Sequence, residues 1–306
     1  MSLGRVAIVG AGAVGAYYGA RLVEAGYDVT FLMRSDYDYV REHGLSIQSV
    51  DGDFSLPRVK VECDSTQIGV VDLVVVAWKS TSNALSEEVI SPLVGEGTRI
   101  LTLQNGLGNA ELLAGLFGAD RVLAGLCFVC INRLRPGVIS HTAAGLIRIG
   151  AYTEAGMENL SQVVDAFQQA RFPCEAVDSL EKALWMKLVW NVPFNGYAIA
   201  EGGVDTAVLL QELGLERDVR AVMQEVVSVA KALGHEIPQH FIDKQIEITI
   251  PMGGYRPSSM IDYVEGRPVE YEAIWGTPLR VARELGVEVP AMQELAKRIR
   301  ERLGRA

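Results

Sequence analysis

The run Arg5-Val-Ala-Ile-Val-Gly10-Ala-Gly12-Ala-Val-Gly15 constrains the fold more than any other part of the chain. Its first five residues are a continuous apolar run, the pattern of a strand buried on both faces. Three glycines follow at once. From residue 13 to residue 25 the apolar side chains then keep helical spacing, and Gly26 suits the left-handed position that closes a helix. A strand, a tight glycine turn and a helix begin a unit whose next strand must run parallel to the first, and residues 28–33 supply it. One Arg followed by this small-residue stretch imitates a secretion signal, but the spaced glycines and the continuation of the period through Arg21-Leu22-Val23 favour a folded element. No uninterrupted apolar run reaches the roughly 18 residues that a membrane span needs.

Buried-strand patterns recur at 72–77 and 98–103, with helical segments near 81–93 and 108–117 and later strands at 122–129, 147–150 and 174–177. This alternation predicts a parallel sheet covered on both faces. Beyond Asp178 helical spacing dominates, over 180–199, 204–213, 217–233, 241–250, 269–285 and 290–303, and Gly234 and Gly286 stand where two of these should stop. The reading is therefore an α/β domain over 1–177 and an all-helical domain over 178–306. The length of 306 residues agrees, at about 150 per domain.

Composition narrows the function. With 49% hydrophobic and 22% charged residues the chain can bury a large core, so disordered, collagenous and disulfide-framework classes are excluded. The 28 basic against 38 acidic residues leave a net charge of −10, which repels phosphate backbones and argues against nucleic acid as a partner. Cys63, Cys127, Cys130 and Cys174 are few and irregularly spaced, as expected of reduced thiols in a cytosol. Cys127 and Cys130 lie in a predicted strand, where an offset of three puts them on opposite faces, and no second pair completes a zinc site.

Gly10, Gly12 and Gly15 have the GxGxxG spacing. That spacing alone is common, but here it follows a strand and opens a helix. The first glycine permits the turn, the second lets a pyrophosphate approach the backbone, and the third allows close helix–strand packing. Gly10, Ala11, Gly12, Ala13, Val14 and Gly15 are thus predicted to hold a dinucleotide at a helix N-terminus. An NAD site would present an acid at the end of the second strand. Arg34 and Ser35 stand there instead, suited to a 2′-phosphate, with Asp36 and Asp38 close behind. The preferred cofactor is NADPH; the alternative for Arg34 is a solvated surface residue.

A second feature lies in Leu184-Trp-Met-Lys187-Leu-Val-Trp-Asn191-Val-Pro-Phe-Asn195. The segment is apolar nearly all round except at i, i+4 and i+8, where Lys187, Asn191 and Asn195 form one stripe. A lysine on such a helix is costly unless it faces a cleft or a partner. Hydride transfer to a ketone builds negative charge on oxygen, and an ammonium group stabilises and then protonates it. The bland alternative is a stripe contacting a loop. Pro193 removes one helical donor and can kink the helix. Downstream, Ser258 precedes a helix and Glu270 follows Gly266-Arg-Pro-Val; helix capping alone would also explain both. His235-Glu236…His240 has the wrong spacing for a zinc protease, His43 and His141 are single, and no GxSxG elbow appears.

Together the Gly10–Gly15 loop, Lys79 in Val-Ala-Trp-Lys, Gln104-Asn105-Gly106, the Lys187/Asn191/Asn195 stripe and Ser258 with Gly266-Arg-Pro-Val-Glu270 resemble the ketopantoate reductase family over nearly the whole chain. The resemblance implies a Rossmann-type parallel-sheet domain followed by an all-α C-terminal domain. It also implies NADPH-dependent reduction of 2-dehydropantoate, a small anionic 2-oxoacid, to pantoate, in the cytoplasm, with a homodimer as candidate assembly. In that reading Lys187 is the general acid and Glu270 supports it. Asn105, Asn191, Asn195 and Ser258 hold substrate, while Lys79 and Asn105 lie between cofactor and substrate and Arg34 meets the 2′-phosphate. Two positions depart from the family pattern: Tyr255 stands where some members have Asn, and Pro193 precedes Asn195 instead of following it. A non-catalytic NADP(H) sensor and an opine-type or other 2-oxoacid dehydrogenase are the alternatives.

Overall fold

The computed structural model describes residues 3–304. The chain divides into two units, one of Met1–Gln104 with Asn109–Leu180, the other of Asn105–Gly108 with Glu181–Ala306.

The first unit opens with β1 (Arg5–Val9), α1 (Ala13–Glu24), β2 (Asp28–Leu32), α2 (Tyr37–His43), β3 (Leu45–Ser49), β4 (Phe54–Leu56) and β5 (Lys60–Glu62). It continues with β6 (Leu73–Val76), α3 (Ser86–Ile90), β7 (Arg99–Thr102), α4 (Asn109–Phe117), β8 (Val122–Arg135), β9 (Val138–Ala151), α5 (Met157–Gln169) and β10 (Cys174–Ala176). The strands form one sheet in the order β4-β3-β9-β8-β7-β6-β1-β2-β5, with β10 beside β9. As the alternation predicted, it is mostly parallel: β1 pairs with β2 and β6 in register from Val6↔Val29 and Val6↔Leu73. The order reverses beside β1, so the carboxyl end of β1 lies at a switch point, where such sheets bind ligands. Val6, Ile8, Phe31, Leu73 and Val75 are 1% exposed or less, each contributing about 1.5–3 kcal/mol on burial. α1 ends as its sequence suggests. Gly26 takes φ +93°, its N–H bonds to Val23 O, and Tyr27 N bonds to Leu22 O, the paired contacts of a glycine-closed helix.

Two antiparallel pairs, β3–β4 and β8–β9, were not legible in the sequence. β8 and β9 are each 14 residues long, where shorter strands were expected. The outer half of β8 carries Asn132, Arg133 and Arg135, so backbone pairing rather than apolar periodicity extends it.

The second unit contains α6 (Leu180–Ala200), which starts at the last residue of the first unit, then α7 (Glu216–Ala232), α8 (Gln239–Thr249), α9 (Ser258–Val264), α10 (Thr277–Glu284) and α11 (Pro290–Leu303). Trp185, Val189, Phe194, Met223, Trp275 and Ile299 anchor a separate core, each 1% exposed or less. Gly234 and Gly286 close α7 and α10 at φ +88° and +68°. Two expected helices are irregular. Residues 204–213 give a wide π turn at Val208–Glu212, and residues 269–285 give a π turn at Glu272–Gly276 before α10. In the latter, Ala273 O accepts from Leu107 N at 2.8 Å. A carbonyl serving another segment loosens the ladder, and π turns collect at functional sites. Among the described residues, no helix is long and apolar enough to cross a membrane.

Candidate active site

In the first unit the three glycines of the turn do different work. At Gly10, φ is +87° and a Cβ would lie 2.4 Å from Trp78 N, so only glycine fits. A Cβ at Gly15, inside α1, would lie 2.5 Å from Gly10 O and 3.0 Å from Ile8 Cγ2, which is the close approach of α1 to β1. Gly12 is the N-cap of α1 and is exposed, and a Cβ there would meet nothing within 4 Å. No side chain caps α1 and no acid occupies its first turn. A free helix N-terminus with an open approach over Gly12 fits the pyrophosphate of a dinucleotide. Ala11 and Val14 pack partly into the core beneath, and Ala13 begins the helix.

Arg34, just beyond β2, is exposed. The two acids behind it already have cationic partners: Asp36 is buried against Arg133 at 2.6 Å, and Asp38 lies 3.5 Å from Arg41. Lys79 is half-buried where the chain leaves β6 for the short turn Ser80–Leu85. An amide chain that sequence reasoning missed fixes the end of β7. Gln104 Nε2 donates to Asn83 Oδ1 at 2.7 Å, Asn83 Nδ2 donates to Asn109 Oδ1 at 2.8 Å, and Thr102 Oγ1 donates to Gln104 Oε1 at 3.0 Å. Asn83 is 21 positions from Gln104 and 26 from Asn109, and no local pattern couples them.

In the second unit Lys187 is half-buried, and its Nζ donates to Asn105 Oδ1 at 2.8 Å. Asn105 belongs to the four-residue piece Asn105–Gly108 that joins this unit. The piece is locked in place by backbone: Leu107 N bonds to Ala273 O, Gly106 has φ +82°, and a Cβ at Gly106 would lie 2.3 Å from Ala273 O. The Glu272–Gly276 turn is tied in its turn to α6, because Trp275 Nε1 donates to Val192 O at 2.9 Å. Gly196 makes room for that indole; a Cβ there would lie 3.1 Å from Trp275 Nε1. Loop, π turn and α6 are thus one hydrogen-bonded assembly with the Lys187–Asn105 pair in it. α6 runs unbroken through Pro193.

Glu270, 7% exposed, lies two residues before this turn, and its carbonyl accepts from Ile274 N at 3.2 Å. Asn191 is half-buried one turn beyond Lys187. Asn195 is 2% exposed and braces the unit: its Nδ2 donates to Asn191 O at 3.0 Å, and its Oδ1 accepts from Ser259 N at 3.0 Å. The start of α9 is therefore pinned to α6, with Ser258 exposed beside the pin. Sequence spacing gave the stripe but not this coupling to residue 259. An ammonium held by one amide, with further amide, hydroxyl and carboxylate groups on the same unit, can hold an oxyanion and deliver a proton to it.

Two family models match the chain, "Ketopantoate reductase PanE/ApbA" over residues 6–154 and "Ketopantoate reductase PanE/ApbA C terminal" over residues 179–302. A 2-dehydropantoate 2-reductase of Nostoc sp. is 40% identical over 94% of this chain and 91% of its own length. One from Halobacterium salinarum is 31% identical over 97% and 98%. The crystal structure of 2-dehydropantoate 2-reductase from Geobacter metallireducens superposes with a TM-score of 0.94 at 43% identity, covering 97% of this chain and 99% of that one. On these similarities the chain belongs to the ketopantoate reductase family.

Proposed function

We propose that this chain catalyses the NADPH-dependent reduction of the ketone of 2-dehydropantoate to pantoate, with Lys187 as the general acid. The observation that carries the residue assignment is the Lys187 Nζ–Asn105 Oδ1 contact of 2.8 Å on a helix that is otherwise apolar. NADPH, when bound at the glycine turn, supplies the hydride. Lys187 Nζ then gives a proton to the oxygen as charge develops on it. Asn105 takes one N–H of Lys187 and so fixes the direction of the others. Asn191 and Ser258 hold the substrate's hydroxyl or carboxylate, and Asn195 keeps Ser258 in place through its bond to Ser259 N. Glu270, buried two residues before the π turn, balances the ammonium charge. The substrate carboxylate is drawn to Lys187 even though the chain carries a net charge of −10. Gly10, Ala11, Gly12, Ala13, Val14 and Gly15 receive the pyrophosphate, and Arg34 and Lys79 complete the cofactor site of the first unit.

The test is consumption of NADPH by the purified chain on addition of 2-dehydropantoate, run beside a panel of branched 2-oxoacids. Turnover with 2-dehydropantoate well above the panel is the expected result. Tight NADPH binding without turnover of any 2-oxoacid overturns the reading in favour of a sensor. Cytoplasmic location and homodimeric assembly belong to the same proposal and are checked by fractionation and by solution mass.

A further inference from the structure

The first carboxylate in the sequence after β2, Asp36, is turned into the fold. Asp36 is 6% exposed. Its Oδ1 accepts from Arg133 Nη1 at 2.6 Å and from Ser35 Oγ at 2.9 Å, and its Oδ2 accepts from Gly137 N at 3.4 Å. Arg133 reaches it from the outer half of β8, 97 residues away, and its Nη1 also donates to Ser35 Oγ at 3.2 Å. The pair is lopsided, since the Asp36 side chain is 8% exposed and that of Arg133 is 42% exposed. The anion is thus covered while the guanidinium stays open beside Ser35, the neighbour of the exposed Arg34.

This arrangement bears on coenzyme choice. On this fold an acid at the end of the second strand accepts from the ribose 2′-hydroxyl of NAD. The same acid repels a 2′-phosphate. With its oxygens occupied by Arg133, Ser35 and Gly137, Asp36 cannot play that part without breaking three contacts. Arg133 meanwhile keeps donors free on a planar fork suited to phosphate.

We propose that Arg133 is a specificity-determining residue for NADPH over NADH, neutralising Asp36 and adding a second cation, with Arg34, to the 2′-phosphate site. The proposal rests on the reading that the glycine turn holds the coenzyme. It concerns a residue outside the glycine turn and outside the Lys187 assembly.

Calorimetric titration with NADPH, NADH, adenosine 2′,5′-bisphosphate and 5′-AMP tests it without turnover. Arg133→Met should weaken NADPH and the bisphosphate by about ten-fold or more, the loss of one charge-assisted contact, and leave NADH and 5′-AMP within about two-fold. Asp36→Asn/Arg133→Met should recover part of that loss, because the bare carboxylate is gone, but not all of it. Equal weakening of all four probes, or none, overturns the proposal. Should Arg133→Met fail to fold, Asp36→Asn alone decides. It leaves Arg133 unpaired and should hold or raise the preference for NADPH, and a fall in that preference overturns the proposal. If the unaltered protein binds none of the probes, the coenzyme reading itself has failed, an outcome distinct from an unaltered protein that discriminates and a variant that still does.

Discussion

At the glycine turn the groups offered to a ligand are backbone N–H groups at the start of α1; around Lys187 they are side chains drawn from α6, from Asn105–Gly108 and from the start of α9. The first site is made by leaving atoms out. Gly12 has open space where a side chain would stand, while Gly10 and Gly15 let the backbone close to within contact distances no Cβ permits. The second is made by bringing atoms in, across 82 residues for Lys187 and Asn105 and 64 for Asn195 and Ser259. The contrast teaches that a backbone site fails by obstruction, whereas a side-chain site fails by loss of a group or of its support.

The largest effect should come from Lys187→Ala. Loss of the proposed general acid is expected to lower kcat by roughly 10³-fold, with the Kd for NADPH, read by fluorescence titration, within about two-fold. A matching loss of NADPH affinity would show that the two regions are not separable. Next is support. Gly106→Ala places a methyl against Ala273 O at a positive φ, and displacement of Asn105 should cost about 10²-fold in kcat; steady-state kinetics with NADPH affinity falling far less than kcat would confirm it. Obstruction comes third. Gly12→Val should weaken NADPH by about ten-fold while costing about 1 kcal/mol or less in stability, since a Cβ there meets nothing within 4 Å and only the N-cap preference opposes it. Gly10→Ala should lose roughly 2 kcal/mol or more in urea unfolding, from the left-handed backbone and the contact with Trp78. Equal stability losses in the two variants would break the distinction drawn between them.

The smallest effect near neutral pH is a pH dependence that belongs to the core and not to either site. Burial pushes the Cys174 thiol up to about 12 from its ordinary 9.0. The folded chain holds the proton while the unfolded chain releases it. The contribution is therefore full below pH 9 and is lost as the pH rises from there toward 12. The urea midpoint should fall over that window, and less steeply in Cys174→Val. Burial likewise raises Tyr197 to about 12, so part of the slope should persist in the variant.

How much was legible follows from which atoms carry each feature. The turn, α1 and its Gly26 stop could be read because glycine spacing, apolar period and helix closure are local. The stripe Lys187, Asn191, Asn195 could be read because one helix fixes its period. β3, β4 and β5 could not, being only three to five residues long, with β3 and β5 completed by the distant strands β9 and β2. The amide chain through Asn83 and Gln104 and the pairing of Arg133 with Asp36 were equally hidden, because a single polar residue carries no sign of which distant group it will meet.

Local covalent and conformational rules thus determined, from the sequence alone, a strand–turn–helix opening, a mostly parallel sheet, a helical second half and the residue types of the chemistry. Only the tertiary structure decided that Asp36 turns inward onto Arg133, that Asn105 leaves β7 to hold Lys187, and that Asn195 pins α9. Those pairings are set by how strands and helices pack, and packing joins residues whose separation along the chain is too large for any periodic pattern to encode.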